Sequence, residues 1–170
     1  TTPTQADPGA TDTAEAAEPA QDAPRIAIEI ARVTGSISLQ GGRIDQLALK
    51  NYRESLEPGA DIVSLLSPIG QPNAYYALYG WAPGSGIAPE QVPGPNTLWT
   101  LAQGERLSVG SPVTLTWDNN AGQLYTRTIS VDENFMFKID QSVTNTADTS
   151  ISLAPYGIIA RHGVPSDAQN

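Results

Sequence analysis

Residues 113–131 read VTLTWDNNAGQLYTRTISV, and the way their side chains alternate decides the class of fold. Val113, Leu115 and Trp117 fall on one side of an extended chain, and Thr114 and Thr116 fall on the other, because successive strand side chains point to opposite faces. Asp118-Asn119-Asn120-Ala121-Gly122 is turn chemistry: Asx side chains bond their own backbone, and glycine takes positive φ freely. Alternation resumes over Leu124–Val131, where Tyr125, Ile129 and Val131 share a face. Two such runs around such a turn predict an antiparallel hairpin with one face in a core.

The same grammar extends in both directions. Asp132-Glu133-Asn134 predicts a turn into Phe135–Thr144, with Phe135, Phe137, Ile139 and Val143 on one face, and Ile151–Arg161 is a last strand. Upstream, Arg25–Val33 alternates with Ile26, Ile28 and Ile30 together. Ser36–Gln40 and Arg43–Leu49 flank Gly41-Gly42, a pair suited to a two-residue hairpin turn. Asp61–Leu66 is bounded by Glu57-Pro58-Gly59 and Ser67-Pro68. The stretch 82–96, with 4 Pro and 3 Gly, reads as an irregular loop. No stretch carries a capped helical period. Short strands at regular spacing with turn signals between them predict an all-β, antiparallel, two-layer fold.

Residues 1–24, TTPTQADPGATDTAEAAEPAQDAP, contain no Val, Ile, Leu, aromatic or basic residue. Such a segment buries too little apolar area to offset backbone ordering at roughly 1–2 kcal/mol per residue, so it is expected to be a disordered acidic linker before a domain at 25–170. Its 5 acids account for more than half of the formal net charge of -9.

Composition narrows the chemistry. The 170 residues hold no cysteine and a single histidine, which excludes thiolate catalysis, Cys-ligated metals, disulfides and any two-histidine site. Nine basic residues against 18 acidic ones, nowhere clustered, exclude nucleic acid and disfavour anionic membrane surfaces. No run approaches the roughly 20 apolar residues of a membrane helix. The N-terminus lacks a signal-peptide pattern, so for an exported protein the export signal is expected outside the chain. His162, in Arg161-His162-Gly163, is read as a strand-end histidine bonded by backbone rather than a general base. Gly84-Ser85-Gly86 lacks the Gly-x-Ser-x-Gly elbow of serine hydrolases. The turn acids Asp132-Glu133, Glu54 and Glu57 read as solvated charge rather than a glycosidase pair. No catalytic residue, metal site or cofactor is expected.

The aromatics are the remaining candidates. Tyr75, Tyr76, Tyr79 and Trp81 lie within seven residues, with Trp99 beyond the loop. Alternation sends Tyr75, Tyr79 and Trp81 to one face and Tyr76, Leu78 and Gly80 to the other. A strand apolar on both faces either packs on both or offers an apolar groove to a peptide.

Several stretches carry a resemblance. Gly35–Leu47 (GSISLQGGRIDQL), then Leu49-Lys50-Asn51-Tyr52, Leu65-Leu66-Ser67-Pro68, Tyr75-Tyr76 with Gly80-Trp81, and Leu98-Trp99 follow in order. Val113–Asn119, Arg127–Asp132, Pro155-Tyr156-Gly157 and Arg161-His162-Gly163 complete the set. Together they resemble the opening of the large periplasmic domain of the YidC family of membrane protein insertases (YidC/Alb/Oxa).

That resemblance implies a β-supersandwich similar to mutarotase-like and sugar-binding domains, at the periplasmic face of the inner membrane of Gram-negative cells. It implies that residues 25–170 form only the N-terminal portion of that domain, with a strand edge open to association. It also implies that residues 1–24 follow a membrane helix, which suits their lack of Lys and Arg. The function implied is noncatalytic: docking SecD/SecF of the Sec translocon, or briefly holding segments of nascent inner-membrane proteins. The alternatives are a carbohydrate-binding domain stacking sugars on Trp81 or Trp99, and a passive spacer of the insertase.

Overall fold

A computed structural model of the chain describes residues 15–20 and 22–163. Among these residues ten strands carry the fold: β1 (Arg25–Glu29), β2 (Val33–Ser38), β3 (Arg43–Arg53), β4 (Ile62–Leu66), β5 (Tyr75–Pro83), β6 (Thr100–Gln103), β7 (Val113–Asp118), β8 (Gln123–Val131), β9 (Phe137–Asn145) and β10 (Leu153–Arg161). They form two antiparallel sheets, ordered β1-β2-β3-β5-β10 with β4 beside β3, and β6-β7-β8-β9. The all-β, two-layer expectation holds. One 3-10 turn, Pro89–Gln91, interrupts the long loop, and no helix among the described residues is long and apolar enough to cross a membrane.

The opening hairpin pairs as its alternation predicts, Val113 with Ile129 and Trp117 with Tyr125. Asp118 Oδ1 accepts the Asn120 amide at 2.7 Å, and Asn119 Oδ1 accepts the amides of Ala121 and Gln123. The core lies where the inward positions of both sheets meet: Ile26, Ile28, Ile37, Ile44 and Trp81 from the first, Val113, Leu115, Tyr125 and Ile129 from the second, with Trp99 and Leu107 from the connections.

Three local expectations are corrected, and one strand is added. Arg25–Val33 is two elements, because the chain turns at Ile30, whose amide bonds the Val33 carbonyl at 3.1 Å. Gly41-Gly42 is not a two-residue hairpin turn, since pairing stops at Ser38–Arg43 and leaves residues 39–42 as a loop. The backbone there bonds elsewhere: Gly41 donates to Thr97 at 2.7 Å, and Leu39 accepts from Trp99 at 2.9 Å. Phe135 belongs to the β8–β9 turn with φ 64 and is 38% exposed. Asp132 accepts the amides of Asn134 and Met136 and holds that turn closed. Finally, Thr100–Gln103 is a strand that its polar, weakly alternating sequence did not announce; it forms by pairing with β7.

Of the expected linker, residues 1–14 and residue 21 lie outside the described residues. Residues 15–20 run against the outer side of the first sheet, and Pro24 leads in by accepting the Leu39 amide at 2.9 Å.

Candidate functional site

Strand β5 carries four of the five candidate aromatics and separates them by face. Tyr79 and Trp81 point into the sandwich, whereas Tyr76 and Leu78 pack outward with Ile69, Ala17 and Ala160. Trp81 lies stacked on Trp99 at 6.1 Å between centroids and 25° between planes, and meets Tyr125 edge-on at 5.1 Å. Both indoles are buried, Trp81 5% exposed and Trp99 2%. Stacking a sugar needs a free ring face, and these faces are taken by protein. Tyr75 is half-buried with the Arg161 guanidinium 5.7 Å above its ring. The Tyr76 hydroxyl lies 3.2 Å from His162 Nε2, and the His162 amide bonds the Ala74 carbonyl at 2.8 Å.

A residue that sequence reasoning passed over organises this cluster. Arg127 occupies an inward position of β8 between Tyr125 and Ile129 and is 1% exposed. Its guanidinium lies 4.5 Å over Trp99, 5.6 Å over Trp81 and 5.9 Å over Tyr79. Nη1 donates to the Gly41 and Gly42 carbonyls, Nη2 to the Tyr79 carbonyl at 2.7 Å, and Nε to Gln141 Oε1 at 3.2 Å. Burial lowers its pKa from the ordinary value to about 10, so it stays protonated at neutral pH, its charge held by carbonyl dipoles and ring faces. The signal was present: Arg127 shares its face with Tyr125, Ile129 and Val131.

Arg127 also explains Gly42. A Cβ there would come within 2.5 Å of Nη1, and one on Gly41 within 2.2 Å of the Pro95 carbonyl. The glycine pair lets two loops and a cation approach one another. Burial raises the phenol pKa of Tyr79 and of Tyr125, and Tyr125 donates to the Gln91 carbonyl at 3.1 Å.

Part of this cluster borders a cleft. Between β9 and β10 the sandwich opens into a space of about 430 Å³, with Trp81 at its floor and Gln141, Val143, Leu153 and Pro155 on its walls. Among the described residues neither of these edge strands has a partner beyond it. Along β10, Ile158 is 48% and Ile159 is 69% exposed. Among the described residues no group of three His, Asp or Glu side chains could hold a metal ion.

The family model described as the YidC periplasmic domain matches residues 25–170. The chain belongs to the YidC periplasmic domain family. It is 60% identical over 150 residues to the membrane protein insertase YidC of Roseobacter denitrificans, covering 88% of this chain and 25% of that protein. The YidC of Dinoroseobacter shibae is 54% identical over 162 residues, 95% of this chain and 27% of the relative, and that of Cereibacter sphaeroides strain KD131 is 56% identical over 146 residues, 86% and 23%. The chain thus spans about a quarter of the length of the curated relatives it matches.

The residues that carried the resemblance to YidC meet in space. Tyr156 pairs with Gly80 and Gly157 with Tyr79 across β5 and β10. A Cβ on Gly80 would lie 2.6 Å from the Tyr156 hydroxyl, and one on Gly157 3.1 Å from the Tyr79 ring. Each tyrosine therefore lies over the opposite strand's glycine, and this fit docks β10 beside the aromatic cluster.

Proposed function

We propose that this chain is a noncatalytic periplasmic accessory module of a YidC-type membrane protein insertase, which docks the periplasmic parts of SecD/SecF in the Sec translocon or briefly holds segments of nascent inner-membrane proteins. The match of residues 25–170 to the YidC periplasmic domain carries this reading. The docking surface is read along the free edge of β10, from the cleft above Trp81 to Tyr75 under Arg161. An unpaired strand presents a row of free amides and carbonyls to an added strand, and the exposed Ile158 and Ile159 supply apolar contact. Of the five aromatics, Tyr75 and Trp81 border this surface, while Tyr76, Tyr79 and Trp99 support it from within and behind.

The test is an amide NMR titration of the 170-residue chain with the periplasmic parts of SecD and SecF. Shifts are expected in a contiguous band over residues 153–161 and 141–145, lost in Ile159→Lys. Shifts confined to the far side of the sandwich would overturn the docking surface. A spectrum unmoved by either partner would favour a spacer.

A further inference from the structure

On the outer side of the first sheet, away from the cleft, residues 15–19 are held on the fold in a way their composition does not predict. One side chain reads their backbone. The Asn96 carboxamide accepts the Glu18 amide at Oδ1, 2.7 Å, and donates through Nδ2 to the Ala16 carbonyl at 2.9 Å. In an extended chain the carbonyl of one residue and the amide two residues on project to the same side. A planar carboxamide, with donor and acceptor side by side, matches that pair. Nδ2 also donates to Glu15 Oε1 at 3.1 Å.

The groove around Asn96 is shaped for this chain. A Cβ on Gly94 would lie 2.7 Å from the Glu15 carboxylate, and one on Gly70 would lie 3.3 Å from the Pro19 ring. Between them Ala17, the residue flanked by the two clamped groups, packs on Ile69, Tyr76 and Leu78. Asn96 is presented by its own turn, in which the Gly94 amide bonds Thr97 Oγ1 at 2.8 Å and the Thr97 amide bonds the Gly94 carbonyl at 3.3 Å.

We propose that the Asn96 loop and the Ile69–Tyr76–Leu78 face form a groove for a short extended peptide with a small central side chain, and that its occupant is the chain's own Glu15–Pro19 segment. Recognition is of backbone, by the carboxamide, and of shape, because a larger residue at position 17 meets the apolar floor. The consequence is mechanical. With Glu15–Pro19 held on the body, an attachment point lies ten residues before Arg25, a contour of at most about 35 Å of extended chain. The point at which the domain is held moves to the Asn96 side of the sandwich.

Hydrogen exchange of the 170-residue chain tests this. The Glu18 amide is expected to be protected, and Asn96→Ala should speed its exchange about tenfold or more, as loss of one or two hydrogen bonds implies. Ala17→Asp places a charge on the apolar floor without touching the sandwich and should do the same. A glutamate-specific protease should cut after Glu15 and Glu18 faster in both variants, with amide protection in β7 and β8 unchanged. A Glu18 amide that exchanges freely in the parent chain, or equally fast in parent and both variants, would overturn the proposal.

Discussion

The two lateral edges of the sandwich are built from the same alternating strands yet end differently. On the β1–β6 side the layers are sewn together: the Glu29 amide bonds the Leu107 carbonyl and the Leu107 amide bonds the Ala27 carbonyl, both at 2.9 Å, in a parallel bridge. Leu107 is fully buried there beside Ile28. On the β9–β10 side no such segment crosses among the described residues. The inward residues Phe137, Ile139 and Val143 stay half-buried, and Ile158 and Ile159 face solvent. Alternation alone does not bury a strand; a residue that closes the gap between sheets does. The closed side is therefore where stability concentrates, and the open side keeps apolar surface that the fold leaves unburied.

Large-to-small substitution separates the two sides most strongly. Leu107→Ala should cost about 2–5 kcal/mol, since a fully enclosed site cannot collapse around the cavity. Val143→Ala, on a cleft wall already reached by water, should cost about 1 kcal/mol or less. Chemical denaturation of the two variants gives the comparison, and equal losses would mean that the open side is as well packed as the closed one.

Alkaline titration sharpens the same contrast from inside. Burial raises the phenol pKa of Tyr79 and Tyr125 above the ordinary value of 10.0. In the native state they hold their protons after the unfolded chain has lost them. Their contribution to stability is thus complete below pH 10 and is lost as pH rises through the shifted values. Two of the six tyrosines should show phenolate absorbance late, and Tyr79→Phe and Tyr125→Phe should each remove part of that late phase. Simultaneous titration of all six would contradict a closed interior.

Surface substitution on the open edge is the mildest intervention. Ile159→Lys should change stability by about 0.5 kcal/mol or less, because the side chain is 69% exposed. A large loss would mean that β10 is packed in a way its exposure does not suggest.

Legibility followed the range of the interactions. Strand positions in β7, β8 and β9 were readable because a two-residue period and an Asx-Gly turn are local signals. The division of β5 into two faces is readable for the same reason, since alternation alone puts Tyr79 and Trp81 opposite Tyr76. The Gly41-Gly42 pair was recognised as a place of unusual backbone but given the wrong task. Its task is set by Arg127 and by Pro95 and Thr97, which are remote in sequence. Arg127 was missed because an arginine in an alternating strand looks like an outward residue until its face is compared with its neighbours.

By itself, the sequence determined the all-β class, most of the hairpins, the aromatic concentration near Tyr75–Trp81 and the family resemblance, all of which rest on local pattern and ordered motifs. Only the tertiary structure decided which edge is closed by Leu107, that a cation sits inside the aromatic cluster, and that Glu15–Pro19 lies in the grip of Asn96. Each of these joins groups roughly 80 residues apart, as Leu107 and Ile28, Arg127 and Gly42, or Asn96 and Glu18 do. No local periodicity encodes such a pairing, because its free energy appears only when the sheets have met.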